Sequence, residues 1–238
     1  MLIIPAIDIL DGKVVRLQKG DFATAKSYSD HPVDQAKIYD ESGFEWIHIV
    51  DLSGSKDGII TSLKILEEIK RKTKLKIEFG GGIRSTEDIS KLFSIGVDKV
   101  VVGSLPVLNK PEFEKVVESF PPDKIIIAAD TKKGEVVVKG WSENSYLEIS
   151  VYITQCKGYG INNFLITDID KDGMLEGPNL RLYHSLKEIF PDLFLIASGG
   201  IRSKNDLDDL KEFKCDAAIV GKAIYENKID LKELSKFD

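Results

Sequence analysis

The chain has 238 residues, 42% of them apolar and 30% charged, with a net charge of −6. That balance supports a buried core and excludes a disordered segment, which combines low hydrophobicity with high net charge. No apolar run approaches the roughly 18–20 residues of a membrane-spanning helix, and the acidic balance (pI about 5.3) lacks the basic stripe of a nucleic-acid binder. An anionic small molecule stays open as a partner, because local fields inside an acidic protein can be positive.

In chain order, short β-branched runs alternate with amphipathic stretches. The predicted strands are Leu2–Asp8, Trp46–Asp51, Lys76–Gly80, Lys99–Gly103, Lys124–Asp130, Asn163–Asp168, Phe194–Ser198 and Ala217–Gly221. The predicted helices are Pro32–Glu41, Thr61–Lys72, Thr86–Ser94, Lys110–Phe120, Tyr146–Tyr159, Asn179–Phe190, Lys204–Phe213 and a short one from Asp230. Strand–helix alternation implies a parallel sheet covered by helices. Eight units imply a closed (β/α)8 barrel, with a doubly wound open sheet as the other way to alternate.

The chain also repeats itself. "IEFGGGIRS" at 77–85 matches "LIASGGIRS" at 195–203, and "VVGS" at 101–104 matches "IVGK" at 219–222, both at an offset of 118. "HIVDLSGSKDG" matches "LITDIDKDG", with Asp51 on Asp168, and "IIPAID" matches "IIIAAD", with Asp8 on Asp130. Two half-barrels, about 1–121 and 122–238, account for the preserved order. A closed barrel places such halves about a pseudo-twofold axis, so the repeat favours the barrel over the open sheet. We read a single domain.

The repeated motifs carry the chemistry. Each Gly-Gly pair follows a strand and precedes a helix, where freed amides bind anions. In barrels of this class phosphate commonly sits at the loops after the seventh and eighth strands. Gly199, Gly200, Gly221 and Lys222 stand there, and Gly81, Gly82, Gly103 and Ser104 are their repeats. A ligand with a phosphate at each end is expected. The G-x-x-x-x-G-K and G-x-G-x-x-G patterns both fail, at Asp216 and Ser85. Asp8 and Asp130 end the first strand of each half, where barrel strands open into the active-site mouth. Two carboxylates on opposite walls suit one base and one acid.

Other features bear less weight. "DIDKDG" opens like a calcium loop, but Asn179 stands where a bidentate Glu is needed and a strand precedes it. A substrate loop presenting Thr167 and Gly173 is the better reading. Trp141 could stack on a planar heterocycle or pack as an ordinary loop residue. Arg16 could meet a phosphate or carboxamide or lie on the surface. His48, at mid-strand, reads as a satisfied core residue. Cys156 and Cys215 form no metal or redox motif, and no histidine sits at metal-ligand spacing to another, so no metal site is expected. "MLIIPAIDILDG" reads as a first strand and not a signal sequence, so the cytoplasm is expected.

Together, "IIPAIDILDGKVVRLQKGD", "FGGGIRS", "VVGS", "KGW", "TDIDKDGMLEGPN", "SGGIRS" and "IVGKA" resemble the phosphoribosylformimino-aminoimidazole carboxamide ribotide isomerase family of histidine biosynthesis, over essentially the whole chain. The resemblance implies an Amadori rearrangement of aminoaldose to aminoketose, with Asp8 as base and Asp130 as acid and no cofactor. It implies one phosphate site at Gly81, Gly82, Gly103 and Ser104 and another at Gly173, Gly199, Gly200, Gly221 and Lys222. Arg16, Trp141 and Thr167 map to substrate-contacting positions. Lys222 stands where the family often has Arg, and Lys lacks the bidentate fork. Thr61 or Ser62 stands where an Asn is often seen. A monomer acting on a bisphosphorylated small molecule is expected. The alternatives are an isomerase that also accepts phosphoribosyl anthranilate, the cyclase subunit of imidazole glycerol phosphate synthase, or a non-catalytic phosphosugar-binding barrel. The cyclase family typically has a Cys before its first Asp, and "PAIDILDGKVVRL" has none.

Overall fold

The computed structural model describes residues 1–141 and 143–237. Eight parallel strands form its centre: β1 (Leu2–Leu10), β2 (Trp46–Asp51), β3 (Lys76–Gly80), β4 (Lys99–Val102), β5 (Ile125–Lys132), β6 (Asn163–Asp168), β7 (Phe194–Ser198) and β8 (Ala217–Val220). Each pairs with the next, and β8 pairs back onto β1, so the sheet closes on itself. The helix that completes each strand's unit is α1 (Pro32–Glu41), α2 (Leu63–Lys72), α3 (Thr86–Ser94), α4 (Lys110–Ser119), α5 (Ile149–Lys157), α6 (Leu180–Ile189), α7 (Lys204–Glu212) and α8 (Leu231–Leu234), and short helical turns also follow β2, β4 and β8 at Leu52–Asp57, Leu105–Leu108 and Lys222–Tyr225. The chain is a (β/α)8 barrel. Among the described residues no helix is long and apolar enough to cross a membrane.

The period of two along each strand divides the core. Inward positions such as Ile4, Ala6, Val101, Ile126, Leu165, Ile196 and Ile219 pack together inside the barrel. Outward positions such as Ile7, Ile47, Phe79, Val100, Ile127 and Ile166 join helix residues including Leu66, Ile69, Leu92 and Phe113 in a larger outer layer. Full burial of one such side chain contributes about 1.5–3 kcal/mol. α2 shows why a polar stretch still forms a helix here. It buries Leu66 and Ile69 and ends in Lys70, Arg71 and Lys72, which complement the negative end of its dipole.

Two antiparallel hairpins depart from this plan. β1 runs on to Leu10 because Asp8–Leu10 pair with Lys13–Val15 of the strand Lys13–Gln18, which pairs in turn with Asp21–Ser29. β5 continues similarly into Glu135–Val138 and Glu143–Glu148. The sequence reading treats both regions as loops and starts the fifth helix at Tyr146. Residues 143–148 are instead spent on pairing, and α5 begins at Ile149.

The two glycine-rich turns are fixed by the same device. Ser85 and Asp88 form a reciprocal capping box at the start of α3, and Ser203 and Asp206 form one at α7. Each Asp also takes the amide of the preceding arginine, Arg84 at 3.0 Å and Arg202 at 2.9 Å. The backbone after Gly82 and after Gly200 is thereby held from the helix side.

Candidate active site

At the C-terminal ends of the strands lies a cavity of about 250 Å³. All fourteen candidate residues line it: Asp8, Arg16, Gly81, Gly82, Gly103, Ser104, Asp130, Trp141, Thr167, Gly173, Gly199, Gly200, Gly221 and Lys222. Asp8 on β1 and Asp130 on β5 lie four strands apart in a ring of eight, and so on opposite walls.

A residue from a hairpin meets each carboxylate. Arg16, on the first hairpin, sets Nη1 2.6 Å from Asp8 Oδ2, and its Nη2 donates to the Ala6 carbonyl at 2.5 Å. Its guanidinium lies 5.0 Å from the centre of the Tyr225 ring. Arg16 is thus an Asp8 partner first, beside the turn at Gly221. Trp141, at the tip of the second hairpin, donates Nε1–H to Asp130 Oδ2 at 2.7 Å. Its ring lies against Gly20 of the first hairpin, and its own φ of 72° is a left-handed backbone held in place by these contacts. Burial raises the Asp130 carboxyl above its ordinary range, and hydrogen bonds from Trp141 and Thr167 oppose that rise.

The turn glycines are sterically required. A Cβ on Gly81, at φ 105°, would stand 2.2 Å from the Asp51 carbonyl oxygen. One on Gly200, at φ 84°, would stand 2.4 Å from that of Gly177. Behind them Asp51 takes hydrogen bonds from Gly54, Thr61 and Ser62, and Asp168 takes one from Asn179 at 2.6 Å. Thr61 and Ser62, which stand where the family often has an Asn, are occupied as supports of Asp51. Lys222 Nζ donates to the Gly173 carbonyl at 2.6 Å, which ties the sixth turn to the eighth.

The sequence reading missed a third carboxyl, Asp172. The first hairpin covers it: the Lys19 amide donates to the Asp172 carbonyl at 3.1 Å. Burial, then the nearby Asp8 charge, pushes the Asp172 carboxyl up to about 7, while Arg16 pulls it down. The only signal in the sequence is the "DIDKDG" segment itself, since the burial comes from a hairpin about 150 residues away. Arg84, directly after the glycine turn, also lines the cavity. Among the described residues no three His, Cys, Asp or Glu side chains gather as a metal site.

The Asp172 shift has a sign that stability measurements check. Between pH 3.8, its ordinary value, and about 7, the folded chain holds a proton that the unfolded chain releases. Its contribution is therefore favourable at low pH and is lost as pH rises through about 7. Asp172→Asn is expected to melt increasingly above the wild type as pH rises from 4 to 8. A constant difference across that range counts against the shift.

Comparison with known proteins agrees with this geometry. The model of the family described as "Histidine biosynthesis protein" matches residues 2–230. A relative from Flavobacterium johnsoniae is 43% identical over 237 residues, covering 100% of this chain and 99% of its own length. It is named a 1-(5-phosphoribosyl)-5-((5-phosphoribosylamino)methylideneamino) imidazole-4-carboxamide isomerase. Proteins of the same name from Parabacteroides distasonis and Sulfurihydrogenibium sp. are 43% and 45% identical, each aligned over 98% or more of both chains. A barrel with glycine turns on both sides of one mouth, matched end to end by these relatives, belongs to the histidine biosynthesis protein family.

Proposed function

We propose that the chain is the aldose–ketose isomerase of its relatives' name, carrying out an Amadori rearrangement on a bisphosphorylated aminoaldose. The observation that carries this reading is the pair Asp8 and Asp130, facing each other across one cavity with glycine turns on both flanks. One phosphate sits at Gly81, Gly82, Gly103 and Ser104. The other sits at Gly173, Gly199, Gly200, Gly221 and Lys222. The recurrence of hairpin, cap and glycine turn at an offset near 118 supports descent of the barrel from two repeated halves.

Asp130 gives a proton to the ribose ring oxygen as the glycosylamine nitrogen pushes open the C1–O bond. A protonated Schiff base forms. Asp8 removes the proton at C2, and the electrons flow to the iminium nitrogen, giving an enolamine. The substrate's nitrogen is the electron sink, so the rearrangement requires no metal or organic cofactor. Arg16 fixes the orientation of Asp8, Thr167 supports Asp130, and Trp141 offers its ring to the planar heterocycle. The two cysteines are free and buried, which suits the reducing cytoplasm. One copy of the chain holds all of these groups, so a monomer suffices.

Asp172 supplies a second reading for the acid, because its carboxyl titrates near neutrality in the same cavity. Comparing Asp130→Asn with Asp172→Asn decides between them. The true acid's variant loses the ring-opening step and keeps substrate affinity.

The direct test is turnover of the purified protein on the aminoaldose without ammonia or a glutaminase. Formation of the aminoketose is expected. Consumption of the ketose with ammonia instead would make the chain a cyclase. Turnover of phosphoribosyl anthranilate would make it bifunctional.

A further inference from the structure

One polar pair inside the barrel has no part in the scheme above. His48 on β2 and Glu78 on β3 are register neighbours, both pointing inward. They are 5% and 2% exposed. Their hydrogen bond, Nδ1 to Oε1, is 2.8 Å long. An apolar pair would fill this space without the cost of burying a carboxylate, and Ala6, the next residue across on β1, is apolar. Beyond Glu78 in the same row stands Lys99. Its ammonium is packed 5.7 Å from the Trp46 ring centre and 5.6 Å from that of Phe194. Burial pushes that ammonium down and Glu78 pulls it back up.

Two facts turn this pair toward chemistry. His48 lines the same cavity as Asp8, Asp130 and Asp172. Its Nδ1 is already committed to Glu78. A carboxylate that accepts from Nδ1–H fixes the tautomer and leaves the Nε2 lone pair as the ring's remaining acceptor.

The proposed reaction leaves one proton without a handler. After Asp8 takes the C2 proton, the enolamine still carries a hydroxyl at C2. Ketone formation requires that O–H bond to break as C1 gains a proton. We propose that His48 is a further catalytic residue, whose Nε2 takes the C2 hydroxyl proton, and that Glu78 is the positioning residue that keeps Nε2 free to do so. This rests on the isomerase reading given above. The balance is complete. The O–H bond breaks and Nε2–H forms, and the oxygen electrons make C=O. The enolamine double bond takes at C1 the proton held by Asp8. The imidazolium, stabilised by Glu78, then returns its proton to Asp130, which gave one to the ring oxygen. All three groups end as they began.

The chain has three histidines, so ¹⁵N spectra of the labelled full chain read the tautomer directly. His48 is expected as the Nδ1–H form at pH 7, and Glu78→Gln is expected to release it. Glu78→Gln and His48→Gln are then expected to lower kcat about 100-fold, within the usual range for a lost proton-transfer group, with KM little changed. In deuterium oxide the recovered aminoaldose should carry more deuterium at C2, per turnover, than with the wild type, because the enolamine forms but stalls. An Nε2–H tautomer, an unchanged kcat, or exchange falling in step with turnover overturns the relay. The tautomer is read on the wild type, so a poorly folding variant does not shield the proposal. If the wild type leaves the aminoaldose unchanged, the isomerase reading falls and takes this one with it. Wild-type turnover with unaffected variants sinks the relay alone.

Discussion

Asp8→Asn is expected to lower kcat/KM on the aminoaldose by on the order of 10³-fold or more, the upper part of the range for a proton-transfer group. Asn keeps an acceptor for Arg16 but cannot hold the C2 proton. The exchange of C2 hydrogen with solvent should vanish with turnover, which separates this residue from one that acts later. The structure adds a second consequence. Asp8 is among the causes that push the Asp172 carboxyl up to about 7, and Arg16 is the cation that opposes them. Removing the Asp8 charge leaves Arg16 to Asp172, so the Asp172 carboxyl should titrate lower in the variant. A carboxyl-carbon NMR titration reads that directly. An Asp172 titration unmoved by Asp8→Asn would mean that the three groups are not coupled as their positions require.

Gly81→Ala is expected to cost about 3 kcal/mol or more of stability, from overpacking and an unfavourable backbone together. The added carbon would lie 2.2 Å from a backbone oxygen, which has no rotamer by which to withdraw. Gly103→Ala is the informative companion. Its Cβ would meet only the Ala128 Cβ, at 3.9 Å, which is ordinary contact. Stability should therefore stay within about 0.5 kcal/mol, as for a substitution outside any strained feature. If a phosphate lies against this turn, KM should still rise about 10-fold, the equivalent of one weakened charge-assisted hydrogen bond. Unfolding curves and KM on the same two proteins distinguish a glycine kept for the fold from one kept for the ligand. A normal KM for Gly103→Ala would remove that turn from the phosphate site.

The eight barrel strands were legible because a strand covered on both faces must be apolar throughout, as in "KVVV" and "IIIAAD". The glycine turns were legible because their sequence recurs. The hairpins were not, since "DFATAKSYS" is polar and small, and its strand character comes from pairing with a neighbour. Site chemistry divided in the same way. Asp8 and Asp130 are marked by the apolar runs that they end. Asp172 becomes unusual only once Lys19 and its hairpin lie over it. Arg16 was visible as a cation, but the choice of Asp8 as its partner belongs to the pairing of Asp8 with Val15. Glu78 and His48 are 30 residues apart, and nothing in either segment announces the other.

Closing the barrel has a further effect on how the molecule behaves in a crowded solution. A sheet that returns to its own first strand offers no free rim to a passing chain. Here the only outer rims of the described sheet belong to the two hairpins, at Asp21–Ser29 and Glu143–Glu148. Both are studded with polar groups: Lys26 on one, and Glu143, Asn144 and Glu148 on the other. A strand from a second molecule that zipped onto either rim would have to strip water from those charges. The segments that decorate the mouth are thus also the ones that keep a β-rich protein from templating its own aggregation.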